Sequence, residues 1–155
     1  MKRKILIGLS IFLIGIGFNS CKKEEIGKTQ EPGFTQSSQV VYSGFPETFE
    51  SGSKTSYAAA DVTLPSGIWN LDDALIGTLS NDRKNGAKSV RIQNTGKVTM
   101  KFNVTNGASS VSILHAVYGT DASSTWQLWY STNSGSSWTQ TGSTITTSST
   151  SLQTA

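Results

Sequence analysis

Beyond residue 43, hydrophobic and polar positions alternate with a period of two through most of the chain, and this sets the reading of the fold. Val98, Met100, Phe102 and Val104 alternate with Lys97, Thr99, Lys101 and Asn103, which puts one set on a buried face and the other in water. Ser89-Val90-Arg91-Ile92-Gln93 alternates likewise, and Asn94-Thr95-Gly96 supplies a turn between these two strands. Val111 to Tyr118 is mostly apolar and reads as a more central strand. Trp126, Leu128 and Tyr130 share one face of a further strand, with Gln127 and Trp129 on the other. Asn133-Ser134-Gly135 then turns the chain into a strand around Trp138-Thr139-Gln140. Leu71 to Ile76 reads either as one helical turn or as an irregular connection. Short strands separated by turn clusters predict an all-β domain over residues 43–155, an antiparallel β-sandwich of jelly-roll-like build.

The N-terminal pattern is different. Lys2, Arg3 and Lys4 precede an almost wholly apolar run from Ile5 to Phe18, followed by Asn19-Ser20-Cys21. This order predicts a secretory signal peptide over residues 1–20, with an apolar signal helix. A membrane-spanning helix needs about 20 apolar residues, and this run is shorter. A buried core helix is the other alternative, against which the three-charge N-terminus argues. Phe18-Asn19-Ser20-Cys21 resembles a bacterial lipobox, although Phe18 stands where leucine is usual. Cys21 is the single cysteine. Its position directly after the apolar run favours lipidation over a free thiol or an intermolecular disulfide. The diacylglyceryl and N-acyl chains that the resemblance implies would anchor the protein to the membrane, since each buried methylene contributes about 0.8 kcal/mol.

Lys22-Lys23-Glu24-Glu25 follows. It looks like the short charged signal that sends Bacteroidetes lipoproteins to the outer face of the outer membrane, and it also suits an ordinary solvated tether. Residues 21–42 lack a periodic apolar pattern and read as that flexible tether.

Charge adds less than its total suggests. The formal net charge is +3, from thirteen basic and ten acidic residues. Lys2, Arg3 and Lys4 leave with the signal peptide, so the processed chain is formally neutral and net charge points to no partner. Arg83, Lys84, Lys88, Arg91, Lys97 and Lys101 fall in one stretch, with Asp82 their acidic neighbour. They form either a basic stripe for nucleic acid or lipopolysaccharide, or the solvated face of ordinary strands.

Candidate chemistry is sparse. His115 is the single histidine and lies in an apolar run. Without a partnered nucleophile it makes no triad and reads as a packed strand residue. A structural calcium is the cofactor the acids could hold, with Glu50, Asp72 and Asp73 as candidate ligands. Trp129 is out of phase with its neighbours and is expected to face outward, where it could stack on sugar rings or unpaired bases. Ser131 to Trp138 is similar to the Asp-box, S-x-D-x-G-x-x-W, with Asn133 in the acidic position. That motif braces a turn and does no chemistry.

A wider resemblance runs through Phe45 to Tyr57, Ser66 to Thr78, Asp82 to Ser89, His115 to Asp121 and Trp129 to Gly135. In this order the segments resemble the N-terminal β-sandwich module of Bacteroidetes lipoproteins whose C-terminal part is a DNA/RNA non-specific endonuclease. The Asp-Arg-Gly-His-type motif of that nuclease, with its histidine base and metal-holding asparagine, has no counterpart here. Asp82-Arg83-Lys84-Asn85 shares two letters with it and lacks the histidine. The module normally runs a strand or two further, so the resemblance implies a sandwich incomplete at its C-terminus, with a catalytic domain in the full-length parent.

The expectation is therefore a lipid-anchored outer-membrane module without catalytic residues of its own, accessory to an exported nuclease. The alternatives are a carbohydrate-binding module and a structural spacer. Arg83, Lys84 and Lys88 would serve a nucleic-acid partner, and Trp129 a glycan.

Overall fold

The computed structural model describes residues 4–15 and 40–155, with side chains from Tyr42 onward. The strands are β1 (Lys4–Gly15), β2 (Val40–Val41), β3 (Ala60–Leu64), β4 (Gly67–Gly77) and β5 (Ser89–Met100). They continue with β6 (Ser110–Val117), β7 (Ser124–Tyr130), β8 (Thr139–Thr147) and β9 (Gln153–Thr154). Every pairing is antiparallel. A seven-stranded sheet has the order β3-β4-β5-β1-β6-β9, with β2 also on β1, and β7 and β8 form a separate two-stranded hairpin. No helix occurs among the described residues. The chain is all-β and antiparallel.

Three local expectations are corrected. The N-terminal apolar run is not a helix here: Lys4–Gly15 is strand β1, with Ile5 opposite both Ile92 of β5 and Val117 of β6. Ile5, Ile7, Ile11 and Ile14 are β-branched, a type that favours extended backbone. β5 and β6 run in the same direction, so the gap between them accepts a strand antiparallel to both. Cys21, Lys22–Glu25 and most of the expected tether lie outside the described residues.

Asn94-Thr95-Gly96 does not reverse the chain. β5 runs continuously through it, and the register against β4 jumps from Ala74↔Ile92 to Asp72↔Lys97. Four β5 residues therefore oppose Asp73 alone, which is a bulge. Asn94 and Asp73 both take positive φ, 52° and 45°. The Asp73 carboxylate accepts hydrogen bonds from the Gln93 and Asn94 side-chain amides at 3.3 and 3.4 Å. Turn-type residues here bend a long strand without ending it. For the same reason Leu71 to Ile76 is neither a helical turn nor a loop but the second half of β4, kinked at Asp73.

The core is strongly aromatic at one end. Trp69 of β4 is fully buried, with ring centroids of Phe49, Phe102 and Phe45 at 5.4, 5.9 and 6.4 Å. Leu71, Ala74, Ile76, Val90 and Ile92 extend this core along β4 and β5. The hairpin contributes Trp126 and Leu128, both partly buried against the same cluster. Their shared phase on β7 is the alternation read from the sequence.

Candidate functional site

Of the basic residues expected as a ligand-facing stripe, Arg83, Lys84, Lys88 and Arg91 are engaged by the protein itself. The loop between β4 and β5 has to close over the sheet end, and its cations satisfy backbone carbonyls there. Arg83 donates to the Gly119 carbonyl at 2.7 Å and Lys88 Nζ to Gly52 at 2.8 Å. Lys84 Nζ donates to the carbonyls of Leu79 and Asp82. Arg91 is buried and makes two hydrogen bonds to Asp82, Nε to Oδ1 at 2.7 Å and a terminal nitrogen to Oδ2 at 2.6 Å. These bonds raise the Arg91 pKa still further, and its guanidinium also stacks 4.4 Å from the Tyr118 ring centre. Lys97 and Lys101 are exposed.

Glu50, Asp73 and His115 are also built in. Glu50 lies in a turn, and its Oε1 accepts from the Ala87 and Lys88 amides at 2.9 and 3.0 Å. Asp72 is exposed and Asp73 braces the bulge. No group of three or more acids or histidines that could hold a metal forms among the described residues, so Glu50, Asp72 and Asp73 do not converge on a calcium site. His115 is 3 % exposed, with Nδ1 2.7 Å from the Thr147 hydroxyl and the Trp126 ring edge-on at 5.5 Å. Burial lowers its pKa, because a charged imidazole would lose its hydration there.

The hairpin is different: its outward face turns polar and aromatic groups to solvent. Trp129 is 47 % exposed, on the side of β7 opposite to Trp126 and Leu128. Its indole N–H donates to Gln127 Oε1 at 3.2 Å, and Gln127 Nε2 donates to the Thr144 hydroxyl at 3.0 Å. This chain of contacts fixes the ring on the strand surface. Directly paired residues share a face, so Gln140 opposite Trp129, and Thr146 opposite Thr125, belong to the same surface. β8 carries extra residues between Ile145, opposite Trp126, and Thr141, opposite Leu128. Gly142, at φ 67°, makes that bulge possible and brings Thr144 to Gln127.

The turn at the hairpin tip has the geometry its sequence suggests. Ser134 and Gly135 both have positive φ, 55° and 85°, and the Ser136 amide donates to the Asn133 carbonyl at 3.2 Å. This is the mirror-image turn that suits strand twist. Asn133 Oδ1 accepts from the Ser137 amide and the Ser131 hydroxyl, both at 2.9 Å. A Cβ on Gly135 would sit 3.5 Å from the Trp138 ring. Tyr130, in phase with the inward Trp126 and Leu128, is nevertheless 49 % exposed because β7 has run past the core by that point.

The inward side of the hairpin leaves an open apolar cleft of about 270 Å³ beside β6, lined by Val111, Ile113, Trp126, Leu128 and Ile145 among others. Sequence reasoning identified Trp129 and missed Gln127, Gln140 and Thr144. Alternation placed Gln127 on the face of Trp129 without a role, the phase of Gln140 across the turn was its signal, and the bulge in β8 hid Thr144. It also missed that no Asp, Glu, Lys, Arg or His follows Asp121.

Comparison with family models, with curated proteins and with solved structures returns no match.

Proposed function

We propose that the chain is a non-catalytic, lipid-anchored module of the bacterial outer membrane, the accessory N-terminal part of an exported DNA/RNA non-specific endonuclease. In this reading it is a jelly-roll-like sandwich in which the β7–β8 hairpin belongs to the second layer. The packing of Trp126 and Leu128 on the main core supports that arrangement. The observation that carries the non-catalytic reading is the engagement of its reactive groups in structure. His115 is held by Thr147, Asp82 by Arg91, and Glu50 by two backbone amides. Glu47 accepts from the Phe49 amide at 2.7 Å and from the Ser66 hydroxyl. A general base needs access to its substrate, and burial denies it to His115, Asp82 and Glu47.

The membrane anchor rests on the basic, apolar and cysteine order of residues 2–21. The nuclease association rests on the ordered segments that resemble the accessory module. Mass spectrometry of the protein isolated from its own membrane tests the anchor: a mature N-terminus at an acylated Cys21 is expected. An unprocessed Met1 or an unmodified Cys21 would overturn it. Incubation of the purified 155-residue chain with DNA and RNA tests the division of labour. No turnover is expected from this chain, and hydrolysis by it would contradict the accessory role.

A further inference from the structure

We propose that the outward face of the β7–β8 hairpin binds a neutral glycan, with Trp129 as the stacking platform and Gln127, Gln140 and Thr144 as the hydrogen-bonding groups around it. The inference rests on the accessory-module reading and names the partner such a module would hold. Its first support is the indole. A large aromatic ring left 47 % exposed on a strand face is either unfinished packing or a contact surface. Here the ring is tied to Gln127, which is tied to Thr144, so it is held ready in one orientation. Pre-ordering of this kind lowers the entropy lost on binding.

The second support is the hydrogen-bonding set. A primary amide has two N–H donors and a carbonyl with two lone pairs. Gln127 uses one donor on Thr144 and one acceptor position on Trp129, and Gln140 uses one donor on the Gly142 carbonyl at 3.3 Å. Gln127 and Thr144 are exposed and Gln140 is half-buried opposite Trp129, which leaves the remaining capacity of these groups for a ligand on this face. Apolar ring faces flanked by donors and acceptors match a pyranose, which presents C–H groups on its faces and hydroxyls around its edge.

The third support is charge. From Ala122 to Ala155 the chain carries no Asp, Glu, Lys, Arg or His. Nucleic-acid binding draws much of its affinity from cations placed on phosphates. The cations expected for that role, Arg83, Lys84 and Lys88, are instead bound to backbone carbonyls, Lys84 within its own loop and Arg83 and Lys88 to Gly119 and Gly52. A neutral surface of amides, hydroxyls and one fixed indole therefore favours an uncharged polyhydroxylated ligand over a polyanion.

Calorimetric titration of the full 155-residue chain with cellohexaose, xylohexaose, mannohexaose and laminarihexaose, and separately with a short oligothymidine, tests this. At least one hexasaccharide is expected to bind, with affinity unchanged between about 50 and about 500 mM salt. Trp129→Ala is expected to weaken that binding at least about tenfold, Gln127→Ala by a smaller factor, and Trp129→Phe least. Arg83→Gln and Lys84→Gln should leave it unchanged. Circular dichroism of each variant confirms that the sheet is intact. The proposal is overturned by silence from all four sugars, by sugar binding that survives Trp129→Ala in a folded chain, or by preference for the oligothymidine with steep salt dependence. The accessory role fails separately, through hydrolytic turnover by this chain.

Discussion

Trp69 and Trp129 sit on strands of similar pattern and have opposite surroundings. Trp69 is 2 % exposed, ringed by Phe45, Phe49 and Phe102, and its indole N–H is satisfied by the Ser66 hydroxyl at 2.9 Å. Trp129 meets side-chain amides and water. The β3–β4–β5 half of the sheet thus buries its aromatics to hold the fold, while the hairpin packs Trp126 inward and leaves Trp129 exposed. The contrast shows that the side of the strand it occupies, more than residue type, decides whether a tryptophan is buried in the core or left at the surface.

The sharpest way to break this comparison is to remove a strand from the stable half. The proposed processing before Cys21 would take away β1, which pairs with both β5 and β6. Hydrogen exchange on residues 21–155 should show faster exchange than the full chain at Val90 to Gln93 and Leu114 to Val117, since their edge groups lose partners. Unchanged protection would mean that another segment has closed the gap.

Single substitutions follow in order of size. Trp69→Ala should cost about 4 kcal/mol in denaturant unfolding, as expected for a large buried ring whose site cannot collapse fully. A loss below about 1 kcal/mol would show that the aromatic cluster is not the main core. Asp82→Ala should cost about 3 kcal/mol, because it leaves the buried Arg91 guanidinium without its carboxylate. Chemical denaturation of Asp82→Ala beside Arg91→Met separates the unpaired charge from the lost packing.

A smaller effect depends on pH. Burial lowers the His115 pKa, so the unfolded chain takes up its proton first as the solution is acidified. The contribution of the neutral ring is complete above the unfolded value of about 6.5 and is lost as pH falls through it toward the folded value. Unfolding midpoints measured from about pH 7.5 to about pH 5 should therefore fall more steeply for the parent than for His115→Gln. Equal slopes would place the acid sensitivity elsewhere. Trp129→Ala is the smallest change, with less than about 0.5 kcal/mol of stability lost from an exposed position.

Much of the strand pattern was legible beforehand. Alternation marked the inward Trp126 and Leu128 and the outward Trp129, and Asn133-Ser134-Gly135 marked the hairpin turn. Three things were hidden from it. Asn94-Thr95-Gly96 has turn chemistry, but the kink of β4 at Asp73 absorbs the extra residues and the strand continues. Arg83, Lys84 and Lys88 look free in sequence because the carbonyls they satisfy belong to Gly119, Leu79, Asp82 and Gly52, and backbone acceptors leave no trace in composition. The polar neighbours of Trp129 were hidden for a related reason, since the β8 bulge at Gly142 decides which threonine meets Gln127.

Amide hydrogen exchange with and without the tightest-binding hexasaccharide tests the assignment of the two halves most directly. The account predicts slow exchange over Gly67 to Met100 in both states and new protection on sugar binding confined to Thr125 to Thr146. Protection that instead appears over Thr78 to Arg91, with the hairpin unchanged, would contradict it.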